Sequence, residues 1–80
     1  MPAIIYRITA KSRQNPRGWR VQRDAVGPII VQGLRRQRDA EACARIYDRA
    51  IGRGSTHDEA SAGAKVYLRL VDPEGARRVR

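Results

Sequence analysis

Three short stretches of this chain alternate between apolar and polar side chains, and one long stretch does not. That change of period constrains the fold more than any single residue. In "AIIYRITAK" (Ala3–Lys11) one side carries Ile4, Tyr6, Ile8 and Ala10, and the other Ile5, Arg7, Thr9 and Lys11. Side chains of a strand point alternately to its two faces, so this reads as a strand with the first set inward. "GWRVQRD" (Gly18–Asp24) alternates again, with Trp19 and Val21 inward and Arg20 and Gln22 outward. "PIIVQGL" (Pro28–Leu34) is a third strand, with Pro28 at its start where the missing N–H is tolerated. Its alternation is poorer and leaves its buried face open. "SRQNPRG" and "DAVGP" supply the intervening turns.

The period then lengthens. Ala40, Cys43, Ile46, Tyr47, Ala50 and Ile51 recur at three- and four-residue steps, with Glu41, Arg45, Asp48 and Arg49 on the other side. This predicts an amphipathic helix with Asp39 as its N-cap and Gly52 or Gly54 as its terminator. In "STHDEASAGA", Ser55 with Asp58, or Thr56 with Glu59, fits a capping box opening one short helical turn, and a loop fits equally. "KVYLRLVD" (Lys65–Asp72) alternates once more and reads as a fourth strand, with Val66, Leu68 and Leu70 inward and Tyr67 and Arg69 outward.

The expected architecture is therefore α+β: a four-stranded antiparallel sheet with one helix on one face, in the order β-β-β-α-β. Residues 1–80 make one small domain, with residues 76–80 a basic tail. A chain of this length buries about 60–65% of its unfolded surface, so its core is modest. With no phenylalanine, that core leans on Ile, Val, Leu and Ala.

Charge is distributed unevenly. The net charge is +9, but residues 1–38 carry nine cations against Asp24 alone, whereas residues 39–80 are nearly balanced. Such a field attracts polyanions: nucleic acid, an acidic protein surface or anionic lipid. The one cysteine, Cys43, excludes an internal disulfide and a cysteine-rich zinc site. The absence of a secretory leader and of a long apolar run makes a cytoplasmic setting the expectation, with no membrane association. His57 is the only histidine and has no partner at metal-ligand spacing, and Ser55, His57 and Asp58 lie too close together for a catalytic triad. No catalysis and no cofactor are expected.

The uncovered sheet face is the expected site. It would carry Arg7, Lys11, Arg20, Gln22, Tyr67 and Arg69, flanked by the loop cations Arg13 and Arg17 and by Arg35 and Arg36 before the helix. A two- or three-stranded ribbon fits the DNA major groove, where arginine and glutamine hydrogen-bond to base edges. Flanking cations would meet phosphates and fix register.

The residues "GWRVQR", "PIIVQGL" and "DAEACARIYDRA" resemble the three-stranded-sheet DNA-binding domains of tyrosine recombinase arm-binding regions and of plant ethylene-response factors. The likeness covers roughly residues 4–52. It implies a sheet placed in the major groove, with Arg7, Arg20 and Gln22 at the bases. The whole chain also resembles small bacterial domains of unknown function with a "GW.V" strand. The expected function is thus a nucleic-acid-binding module, DNA preferred over RNA. The alternative is a protein-interaction module, such as a phage or mobile-element inhibitor, docking on an acidic protein surface. An edge strand offers a route to a homodimer.

Overall fold

The computed structural model describes residues 3–8 and 17–73. They form β1 (Ile4–Ile8), β2 (Gly18–Gln22), β3 (Ile29–Leu34), α1 (Gln37–Gly52) and α2 (His57–Val71). The strands make one antiparallel sheet in the order β1-β2-β3. Helix α1 lies over all three strands, and α2 rests on α1 and β3.

The expected fourth strand is the second half of α2. The sheet has three strands, and the order is β-β-β-α-α. An i, i+2, i+4 apolar series such as Val66, Leu68 and Leu70 does not by itself distinguish strand from helix. The wider spacing does: Ala60, Ala64 and Leu68 recur every fourth residue, and all three are buried. Thr56 opens the helix with a full capping box. Its hydroxyl accepts from the Glu59 backbone N–H (3.2 Å), and the Glu59 carboxylate accepts from the Thr56 backbone N–H (3.0 Å). The cap thus starts a 15-residue helix rather than a single turn. Of the three residues expected inward, only Leu68 is buried; Val66 and Leu70 face solvent.

Helix α1 also begins earlier than expected. Arg36 occupies the N-cap in an extended conformation without a side-chain cap bond, and Asp39 sits in the first turn, buried. There the carboxylate still complements the positive end of the helix dipole. The buried face of α1 is built from small residues, Ala40, Cys43 and Ala44, with Tyr47 as the one large member. Small residues let α2 approach closely: the Cys43 thiol lies 3.8 Å from the Ala64 carbonyl oxygen.

The phase of β1 is the reverse of the expectation. Ile5 pairs with Val21 and Arg7 with Trp19. Directly opposed residues of an antiparallel pair share a face, and Val21 is fully buried on a strand that α1 covers. Ile5 and Arg7 therefore lie on the helix side, and Ile4, Tyr6 and Ile8 lie on the other. Adjacent isoleucines at positions 4 and 5 left the phase of this strand to pairing rather than to pattern. Trp19 turns inward as expected and packs against the core.

Strand β3 alternates poorly because it is bulged. From Val21↔Val31 to Gln22↔Ile29, and from Trp19↔Leu34 to Val21↔Val31, β3 advances one residue more than β2. The extra residues allow Ile30, Val31 and Leu34 all to enter the core. The β2–β3 turn is tied down by Gln22, whose amide Nε2 donates to the carbonyls of Asp24 (3.1 Å) and Gly27 (3.3 Å). Beyond the sheet, the backbone N–H of Ala3 donates to the Asp48 carboxylate (2.9 Å), fastening the start of β1 to α1.

Candidate functional site

Pairing of β1, β2 and β3 brings together residues that are distant in sequence. Gly18 and Trp19 open β2, opposite Ile8 and Arg7 at the end of β1. On the other side Trp19 pairs with Leu34, which places Arg35 beside the same end of the sheet. The result is a cleft of about 300 Å³ lined by Arg7, Ile8, Arg17, Gly18, Trp19 and Arg35. Three guanidinium-bearing side chains from separate segments thus surround the chain's single tryptophan.

Arg7 lies over the indole, its guanidinium carbon 5.8 Å from the ring centroid. That distance is within range of a cation–π contact. Arg35 reaches across to α2 and grips Asp72 as a fork, with Nη2 to Oδ1 at 2.5 Å and Nε to Oδ2 at 3.3 Å. Asp72 is buried at the C-cap of α2, next to the negative end of that helix. A carboxylate there requires a cation beside it, so Arg35 both closes the wall of the cleft and anchors the end of α2.

The other expected site residues are dispersed. Arg20 and Gln22 lie on the sheet face away from the helices, where Arg20 Nη1 donates to Gln22 Oε1 (3.3 Å). Gln22 is only 8% exposed and spends its amide on the β2–β3 turn. It serves that turn rather than a groove. Arg36 is exposed at the N-cap of α1. Tyr67 and Arg69, placed on the sheet by the strand reading, belong to α2: Tyr67 packs against the core and Arg69 is exposed in the last turn. Lys11 and Arg13 lie outside the described residues. The shared basic sheet face is therefore replaced by a cationic cleft at one end of the sheet. The face away from the helices carries Ile4, Tyr6 and Ile8 beside Arg20 and Gln22.

A second cluster joins the helices. The Tyr47 hydroxyl lies 2.9 Å from His57 Nδ1, with the two rings edge to face at 5.6 Å, and His57 Nε2 lies 3.5 Å from Ser61 Oγ. Burial pushes the Tyr47 phenol above its ordinary pKa. Ser61 stands four residues beyond His57, a spacing legible in the sequence, but Tyr47 comes from the facing helix. The cluster holds α1 to α2. Burial, with Asp39 adding to it, pushes the Cys43 thiol up to about 12, which suits a packing role and not a nucleophile. Among the described residues no three His, Cys, Asp or Glu side chains are grouped to hold a metal ion, and no helix is long and apolar enough to cross a membrane.

The chain matches no family model, no curated protein and no solved structure. What the structure shows is a three-stranded antiparallel sheet followed by two helices.

Proposed function

We propose that this domain binds nucleic acid by gripping phosphates with Arg7 and Arg17 in the cleft whose wall Arg35, paired with Asp72, completes. The observation that carries the reading is the convergence of three arginines on one cleft from three segments. Guanidinium groups present several N–H donors in a plane and match phosphate oxygens two at a time. The concentration of positive charge in residues 1–38 supplies the long-range attraction. Arg7 lies over the indole, so the cleft favours backbone contacts over base stacking, and the binding is weakly sequence-dependent.

The test is a titration of the purified protein against labelled duplex DNA, single-stranded DNA and duplex RNA at several salt concentrations. With Arg35 engaged by Asp72, phosphates at Arg7 and Arg17 give a log–log salt slope of about −1.4 to −2. Arg17→Ala lowers that slope by about one, whereas Arg45→Ala on the exposed side of α1 leaves it unchanged. Absence of binding to all three ligands at low salt overturns the proposal. Retention of a cellular partner after nuclease treatment, with no oligonucleotide binding, points instead to an acidic protein surface.

A further inference from the structure

The shape of the cationic cleft suits the end of a strand better than its middle. Arg7 and Ile8 come from the last part of β1, Arg17 stands beside the first residues of β2, and Arg35 follows β3. Because β2 is the middle strand, Gly18 and Trp19 are flanked by β1 on one side and by the end of β3 on the other. The cleft is therefore a recess at one end of the sheet, not a groove running across its face. Its volume of about 300 Å³ stands at the lower limit of pockets that hold small ligands, about 300 Å³. Such a space suits one phosphate with its sugar rather than a run of phosphates.

Charge points the same way. Arg35 is engaged by Asp72, and that pair leaves little net charge. Arg7 and Arg17 are exposed and, among the described residues, take part in no ion pair. No described carboxylate or histidine lines the recess. Two guanidinium charges thus face one small space. An internal phosphodiester brings one negative charge. A terminal phosphate is a monoester, with a charge of about −1.5 to −2 at pH 7 and three acceptor oxygens, so it places both charges on one group. The indole beneath Arg7 positions that side chain through its ring. The contact supplies no oxygen acceptor, which leaves the guanidinium donors for a phosphate.

We propose that the cleft takes the terminal phosphate of a nucleic-acid strand, a phosphomonoester, in preference to an internal phosphodiester. The inference rests on the nucleic-acid reading above and narrows it. Arg7 and Arg17 share the phosphate oxygens, and Arg35, held by Asp72, bounds the site.

The test is competition against a labelled single-stranded oligonucleotide by three strands of one sequence. One carries a 5′-phosphate, one a 3′-phosphate, and one hydroxyls at both ends. At pH 7.5 at least one phosphorylated strand should bind about tenfold tighter than the hydroxyl strand. Arg17→Ala should remove most of that preference, and Arg45→Ala should leave it intact, each with an unchanged far-UV circular dichroism spectrum. The preference should also shrink towards one at pH 5, because the second ionisation of a phosphomonoester lies at about 6. The hydroxyl strand, measured at both pH values, corrects for titration within the protein and keeps the proposal testable should Arg17→Ala lose helix signal. Equal binding of all three strands overturns this inference and leaves the nucleic-acid reading standing, whereas binding of none overturns both. A preference that survives Arg17→Ala, or one undiminished at pH 5, also overturns it. A nucleoside monophosphate that displaces the phosphorylated strand at equal concentration would replace the strand end with a free nucleotide as the ligand, and so overturn it too.

Discussion

Gly18 is where the cleft and the sheet depend on the same atom count. Its φ is +121°, and a Cβ built there would stand 2.5 Å from the Leu34 carbonyl oxygen. That oxygen is backbone, in the residue that pairs with Trp19, so it cannot swing aside as a side chain would. Gly18→Ala therefore imposes two costs. The backbone conformation costs about 1–3 kcal/mol for a residue with a Cβ. Parting β2 from β3 at Leu34 sacrifices roughly one or two hydrogen bonds at about 1 kcal/mol each. Together these reach about 2–5 kcal/mol, against roughly 4–12 kcal/mol of total stability for a chain of this size. Gly54 separates the two terms. Its φ is +95°, but nothing lies within 4 Å of a Cβ there. Gly54→Ala should cost only the conformational part, about 1–2 kcal/mol. Gly52, with open space and ordinary helical backbone at the end of α1, should gain about 0.5–1 kcal/mol on substitution by alanine. Urea denaturation followed by Trp19 fluorescence gives all three values. A Gly18→Ala variant no less stable than Gly54→Ala would refute the close approach of β2 to Leu34.

Three further outcomes follow from side-chain contacts. Thr56→Ala removes the capping box of α2 and should cost about 1 kcal/mol in the same denaturation assay. The Glu59 carboxyl is held below its ordinary value of 4.5 by the Thr56 backbone and side chain. Its contribution is present above that value and disappears as pH falls through the lowered folded value, so an acid titration of helicity should show this loss below 4.5, after carboxyls of ordinary pKa have begun to protonate, in the wild type and not in Thr56→Ala. Cys43 should resist a thiol reagent at pH 8 and react at the rate of unfolding, because burial keeps it protonated up to about 12. Rapid labelling of the native protein would contradict the packing of α1 on α2. Arg35→Ala leaves the Asp72 carboxylate buried without its fork and should cost about 1–3 kcal/mol, whereas Arg35→Ala combined with Asp72→Asn should recover part of that loss; a cost that the second substitution leaves unchanged would place the effect elsewhere.

Much of this fold was legible in the sequence, and the failures have physical causes. Three strands and α1 follow from apolar periodicity. So does the inward turn of Trp19, since Trp19 and Val21 alternate cleanly with Arg20 and Gln22. The phase of β1 was not legible, because Ile4 and Ile5 are both apolar and only pairing with Val21 decides between them. The second half of α2 reads as a strand when Val66–Leu70 is taken alone. The Thr56–Glu59 capping box and the Ala60–Ala64–Leu68 spacing carry the contrary signal, but over a longer window. The site suffered from the same two errors. With β1 inverted, Arg7 crosses to the helix side and joins Trp19. With no fourth strand, Tyr67 and Arg69 leave the sheet. Arg35 enters the cleft only through the Trp19↔Leu34 pairing, which no local pattern encodes.

The measurement that bears most directly on the cationic cleft is the emission of Trp19 during titration with a short oligonucleotide. The chain has one tryptophan, and it forms part of the cleft wall beneath Arg7. Phosphates drawn to Arg7 and Arg17 should change that emission saturably, with a midpoint that moves upward in salt and in Arg7→Ala. Oligonucleotide binding that leaves Trp19 emission untouched, with equal affinity in wild type and Arg7→Ala, would locate the contact on another surface.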